Sequence, residues 1–292
     1  MANEYSNLTA LQKYLSLASP DSSDNEKILG HIRNASRAID RVTRRKFYPR
    51  YETRFYDLKD RRGVLLDDDL LELGSIYANN GASQISNSVV FLQTGDNYGH
   101  SPYDKIVLNT SAGSTLNFTG TKQQAIHITG FWGYHETWAS AFIDIGTSLV
   151  RNTGSNASLI NIAGAGSFGT NASDVNFNAP RLSIGDTIRV QDELYHIVAA
   201  GSVATEFYTR PAANGTITAS HASGASIGRF EPEPDIEFCA RRWAAWTYAQ
   251  ESTPYSVRSA FPALGEVTIN ESAPPDVLVR LERFKKPRIT GY

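Results

Sequence analysis

The apolar positions change their spacing several times along the chain. Leu8, Leu11, Tyr14 and Leu15 fit one face of a short helix, which Pro20 and the run at 21–24 end. Ile28, Ile32, Ala35, Ile39 and Val42 then alternate steps of four and three, a narrow stripe suited to packing on another helix. Ser23 and Glu26 supply a capping-box pattern at its start. Pro49 predicts its end, because a proline pushes the preceding residue out of the α region. From Glu52 to Trp138 short runs such as TRFYD, GVLLDD, SVVFLQ, DKIVLN and QAIHITGFW are β-branched and aromatic. Turn residues such as Asn80-Gly81 separate them, so an antiparallel β layer is expected.

Between about Gly146 and Gly228 the chain turns rich in Gly, Ser, Asn, Thr and Ala, with few charges. Residues 182–190 and 193–198, with Gln191-Asp192 near the turn, predict a β-hairpin. Helical spacing returns at Ile236, Ala240, Trp243, Ala244 and Thr247 and stops at Thr253-Pro254. Pro274-Pro275 opens a last short helix, since proline is tolerated in the first turn. Val277, Leu278, Leu281 and Phe284 form its apolar face, and Lys285, Lys286 and Arg288 follow. The expected fold is α+β: a helical body from the long N-terminal helix and the C-terminal helices, an antiparallel β layer, and an inserted small β-barrel or sandwich. Residues 1–145 and 231–292 are expected to form the core domain and 146–230 the insert.

A length of 292 residues suits one large domain or two ordinary ones, and 41% hydrophobic residues suffice for a real core. No apolar run reaches the ~18–20 residues of a membrane helix. The N-terminus lacks a signal-peptide pattern, so a cytosolic site of synthesis is expected. The single Cys239 excludes an internal disulfide or a cysteine-based metal site. A formal net charge of −2 argues against a globally basic nucleic-acid binder. The charge is uneven, however: eleven Arg or Lys fall between residues 33 and 62, and Arg280, Arg283, Lys285, Lys286 and Arg288 close the chain.

Candidate chemistry is sparse. GAGSFG at Gly164–Gly169 spells G-x-G-x-x-G with Asp186 downstream, but TNASDVNFNAP cannot open the helix that would hold a pyrophosphate, so a β-turn is expected. Asp67-Asp68-Asp69 reads as an exposed turn before a cation site. Asp192 and Glu193 are neighbours in an extended segment and point to opposite faces, which disfavours a glycosidase pair. The six histidines show no metal-ligand spacing, and neither G-x-S-x-G nor a P-loop occurs. No enzyme activity and no cofactor is expected.

Several segments in this order resemble the head–tail connector (adaptor) proteins of long-tailed bacteriophages. They are TALQKYLSL, ASRAIDRVTRRKFYP, D-x-LLEL at Asp69–Leu73, PYDKIVL at 102–108, ITGFWGY at 128–134, CARRWAAWTYAQ and PPDVLVRLERFKKP. The stretch of about 90 residues after ITGFWGY departs from many members, and it looks like a β-module that recurs in phage structural proteins. The resemblance implies a virion protein assembled in the host cytoplasm. It would form a closed ring, typically twelve-fold, under the portal, touch a stopper or tail completion protein, and pass double-stranded DNA through its channel. It further implies that the C-terminal segment docks into the portal, with Val277, Leu281 and Phe284 packing and Arg280, Arg283, Lys285, Lys286 and Arg288 anchoring.

Two roles fit Arg33, Arg37, Arg41, Arg44 and Arg45 on the long helix. One is phosphate contact. The other, favoured because a sliding duplex is poorly served by tight phosphate binding, is a subunit face pairing with Asp40, Asp67 or Glu72 of a neighbour. Two further classes differ in what they predict. A carbohydrate-binding tail protein requires saccharide affinity in 146–230. A non-specific DNA-binding protein requires monomer affinity for duplex with a steep salt slope.

Overall fold

The structure is a computed structural model that describes residues 3–17, 22–95, 97–98, 101–163, 182–203, 205–251 and 273–286. Its helices are α1 (Leu8–Tyr14), α2 (Ser22–Thr43), α3 (Pro234–Glu251) and α4 (Pro275–Leu281). Most of the described chain, however, belongs to two antiparallel sheets, one of seven strands and one of six. The expectation of an α+β fold with a helical body is therefore overturned. The strands of 50–132 are not a layer laid under helices; they curl around a core of their own. The helices instead fill a separate cluster that borrows Phe47, Leu71, Phe131, Trp138 and Phe230 from strands and loops.

Asn7 caps α1 by accepting the Ala10 N–H. Along α2, Ile28, Ile32, Ala35 and Ile39 are buried, as the stripe requires. This helix stops at Thr43, short of Pro49, because Arg44 turns left-handed at φ 58°. It also begins at Ser22, which puts Ser23 inside the first turn.

The first sheet contains β1 (Arg50–Tyr56), β2 (Gly63–Ala78), β3 (Ser83–Ile85), β4 (Val90–Thr94), β5 (Asn97–Tyr98), β6 (Tyr103–Leu108) and β7 (Ile126–Trp132). The order is β1-β7-β2-β6-β4-β5, with β3 on β2. The 16-residue β2 serves two neighbours. Its first half pairs with β6 and its second half with β7, and the register breaks between Leu65 and Leu70. Val64, Leu66, Leu70 and Ile76 point inward from it, around a fully buried Trp132. After β7 the chain turns at Gly133, whose φ of +145° and a Cβ site only 2.6 Å from the Tyr48 carbonyl leave room for glycine alone.

The second sheet contains β8 (Phe142–Ser148), β9 (Leu159–Asn161), β10 (Thr187–Val190), β11 (Glu193–Ala200), β12 (Glu206–Arg210) and β13 (Ser226–Phe230), in the order β8-β13-β10-β11-β12-β9. The hairpin β10–β11 turns at Gln191-Asp192. The two ends of this sheet meet. Val150 N–H donates to Asn161 O, Ala163 N–H to Ser148 O, and Leu149 bridges Ile162, so the sheet closes into a barrel by backbone hydrogen bonds. Its interior holds Leu149, Ile160, Ile188, Tyr195, Ile197, Phe207 and Ile227.

Glu193 lies buried at one end of this barrel, where it accepts from Ala212 N–H, Ala219 N–H, Tyr195 Oη and His221 Nε2 at 2.8–2.9 Å. Burial pushes its pKa up, but the two backbone donors, His221 and Tyr195 outweigh that and hold the carboxyl below its ordinary range. It fastens the loop after β12 and has no second carboxylate to work with. The barrel is tied to the rest of the chain by Leu8 N–H on Ile184 O, Asn7 on Asp186, and a buried Glu4 that meets both His196 (3.2 Å) and Arg33 (2.7 Å). Gly215, at φ +85°, brings the turn 213–215 within 2.3 Å (from its Cβ site) of the Tyr51 carbonyl on β1.

Candidate functional site

The first sheet does not close as the second does. β1 is an edge strand, bonded only to β7, and the first half of β2 is bonded only to β6. The bend in β2 brings these two edges to face each other. On β2, Arg62 O accepts from Leu108 on the β6 side. The antiparallel alternation therefore turns the N–H and C=O groups of Gly63, Leu65 and Asp67 the other way, toward β1. Side chains span the gap instead of backbone. Tyr56 Oη donates to Asp67 at 2.6 Å, Arg54 to Asp68 at 2.8 Å and Arg50 to Asp68 at 3.1 Å. Glu52 completes the lattice on Arg54. The Arg54 guanidinium also lies 4.2 Å from the Trp132 ring centroid, so a cation–π contact seals the core beneath it.

The electrostatics follow from partial burial. Burial drives the Asp68 carboxyl up, but Arg54, with help from Lys286, pulls it below its ordinary value, so it stays ionised. The Arg54 guanidinium is correspondingly held well above its ordinary value: burial lowers it, but the Asp68 and Glu52 carboxylates overcome that. Tyr56 is raised by burial and by Asp67. Asp69 is raised by burial despite its 2.5 Å ion pair with Arg45. Two grooves adjoin these residues. One groove of about 630 Å³ is lined by Phe55, Asp60, Gly63, Leu65, Lys105 and Val107. Another of about 770 Å³ is lined by Arg44, Arg45, Lys46, Arg50, Asp68 and Lys286.

Asp67–Asp69 are thus strand residues at a bend and not the exposed turn expected; only the Asp67 side chain is largely exposed. The acids expected to pair with a neighbouring subunit have partners in their own chain. Asp40 takes Lys46 and Tyr5, Asp67 takes Tyr56 and Arg54, and Glu72 accepts the Trp138 indole N–H. Among the helix arginines, Arg33 is paired with Glu4 and Arg45 with Asp69. Arg41 donates to the Arg37 carbonyl, and Arg44 is exposed.

The C-terminal residues are also placed differently from the expectation. Val277, Leu281 and Phe284 are buried in this chain's own helical cluster, with Phe284 edge-on to Phe47 and Tyr134. In the isolated chain that apolar face is covered by the chain's own helices and by Phe47 and Tyr134. Arg280 and Arg283 pair with Asp235, Lys285 with Glu282, and Lys286 Nζ reaches the Asp67 carbonyl at 2.6 Å. The outward side of α4 shows Leu278 and Val279, the latter 74% exposed. Arg288 and the GAGSFG string lie outside the described residues.

The sequence reading counted Arg50 and Arg54 in a basic cluster and Asp68 in an acidic run but did not bring them together, and it left Tyr56 out. A signal was present: Arg50 and Arg54 lie four apart, on one face of a strand pattern, close to an acidic triplet that itself continues GVLL. Among the described residues no His/Cys/Asp/Glu group suits a metal ion, and no helix is long and apolar enough to cross a membrane. Cys239 is buried, and burial pushes its thiol up to about 12, which makes it a poor nucleophile. Comparison of the chain with family models, with curated proteins and with solved structures finds no match in any of the three.

Proposed function

We propose that this chain is a non-enzymatic structural subunit of a phage neck: a ring-forming head–tail connector that binds the portal, meets a stopper or tail completion protein, and lets double-stranded DNA pass. The observation that carries this reading is the ordered set of segments from TALQKYLSL to PPDVLVRLERFKKP, which resembles that family. The facing strand edges, interlocked charges and exposed apolar residues such as Phe91, Leu65 and Val279 support it, since they suit a subunit that meets neighbours. In this reading the portal contact falls to the outward side of α4, at Leu278 and Val279, because Val277, Leu281 and Phe284 are internal. The exposed arginine at the end of α2, Arg44, lies with Arg41 on the side available to a neighbour or to passing phosphates.

Peptide mass fingerprinting of purified virions, with immunogold labelling against this chain, tests the proposal. It requires the chain in the particle and the label at the head–tail junction. Absence from the particle, or label at the tail tip, would overturn it.

A further inference from the structure

We infer that an acidic cleft beside the second sheet accepts the basic β1–β2 tip, residues 59–62, of a second copy, so that subunits meet head to tail. The cleft holds about 1020 Å³ and lies between the N-terminal segment, β8, β13 and the start of α3. Asp144, Asp186, Glu231 and Glu237 line it, together with Glu4, whose charge is already met by Arg33 of α2 and His196 of β11. Lys13, Arg229 and Arg241 line it too, so carboxylates outnumber cations. Glu237 registers the excess. Burial raises its carboxyl, Arg241 lowers it, and Glu231 and Asp186 raise it again, which leaves it above its ordinary value. Ser6 also lines the cleft; it is 6% exposed, and its hydroxyl has no hydrogen-bond partner among the described residues. A buried polar group left unmet is one that an incoming donor can meet.

The occupant is argued from charge and reach. Lys59, Asp60, Arg61 and Arg62 are all exposed, and Asp60 accepts the Arg62 N–H. Lys122, also exposed, adjoins the tip through its carbonyl on the Leu58 N–H. Arg61 and Lys122 flank the Phe118 ring at 5.8 and 5.4 Å. The tip therefore carries positive charge where the cleft carries negative. It is out of reach of the cleft of its own chain. Tyr48 lines the cleft just before β1 begins, and β1 then carries the chain ~20 Å away at ~3.4 Å per residue. The carbonyls of Arg61 and Arg62 are fixed there by the Leu116 and Leu108 N–H groups. The complement is another copy, and a contact between two different surfaces is the kind that closes into rings. The inference deepens the neck reading and rests on it for closure into a ring; the contact itself is a property of the purified chain.

Disulfide trapping tests it. Arg61→Cys and Glu231→Cys, both at exposed positions, are purified separately and mixed under mild oxidation, with Cys239 buried and silent. The mixture should give at least about tenfold more cross-linked dimer than either variant alone. Raising the salt from ~0.1 to ~1 M, which cuts the Debye length from ~10 to ~3 Å, should lower that yield severalfold. Unfolding midpoints equal to that of the wild type show that both variants fold. A yield in the mixture no higher than in the single variants would overturn the inference. Dimer from Arg61→Cys alone would overturn it in favour of a two-fold contact between tips. A negative trap with loss of duplex DNA binding in the Arg61→Glu, Arg62→Glu double variant would overturn it in favour of phosphate as the tip's partner. Failure of the neck reading would show instead as absence from the virion with the trap still positive.

Discussion

The two sheets of this chain manage their edges in different ways. The one built from 142–230 joins its ends with backbone bonds at Val150–Asn161 and Ala163–Ser148 and needs no charged seal. The one built from 50–132 leaves two edges apart and bridges them with Arg50, Arg54, Tyr56, Asp67 and Asp68. Closure by backbone removes an edge altogether; closure by side chains keeps the edge and guards it. A buried carboxylate is used in both, as a fastener for a loop at Glu193 and as a clasp at Asp68.

The largest effect should come from the closed barrel. Glu193→Ala strands His221 and two backbone donors in the interior and should lower stability by ~3–5 kcal/mol, read as a fall in the urea midpoint. The same group gives a pH signature. Its folded pKa is depressed, so its contribution is fully present above the ordinary carboxylate value of ~4.3 and is lost as pH falls from there through the lower folded value. Glu193→Gln should therefore lose less stability than wild type as the pH falls below ~4.3, and the two should respond alike above it.

Phe284→Ala should cost ~3–5 kcal/mol by opening a cavity against Phe47 and Tyr134, measurable by thermal unfolding of the isolated chain. A negligible change would mean that the residue is not internal, and would restore it as a docking group. Asp68→Asn at the side-chain seam should cost less, ~1–3 kcal/mol, because the site is partly wet and Asn keeps one acceptor for the arginines. If it instead matched Glu193→Ala, the two closures would not differ as described. Smallest of all, Val279→Ser should change stability by no more than ~0.5 kcal/mol, yet weaken binding to the portal if the outward side of α4 is the contact.

Local periodicity made the helical stripe of α2 and the β10–β11 hairpin legible in the sequence. The fold class was not legible, because strand patterns say which face is buried but not what covers it. Residues 52–138 read equally well as a layer under helices or as a sheet rolled onto itself, and Leu70 and Leu71, pointing to two different cores, decide the matter only in three dimensions. Asp67–Asp69 misled because three carboxylates in a row ordinarily mark a solvated turn. Here their cost is met by Arg45, Arg50, Arg54 and Lys286, which arrive from the loop after α2, from β1 and from the segment after α4. The last helix misled in the opposite sense: an apolar face with a basic tail looks the same whether its partner is another protein or its own chain.

The measurement that bears most directly on the neck proposal is the oligomeric state, alone and with a phage portal protein from the same source, by mass photometry and negative-stain imaging. A closed ring, or a monomer that becomes a ring on the portal, is the expected result. A monomer that ignores the portal would contradict it.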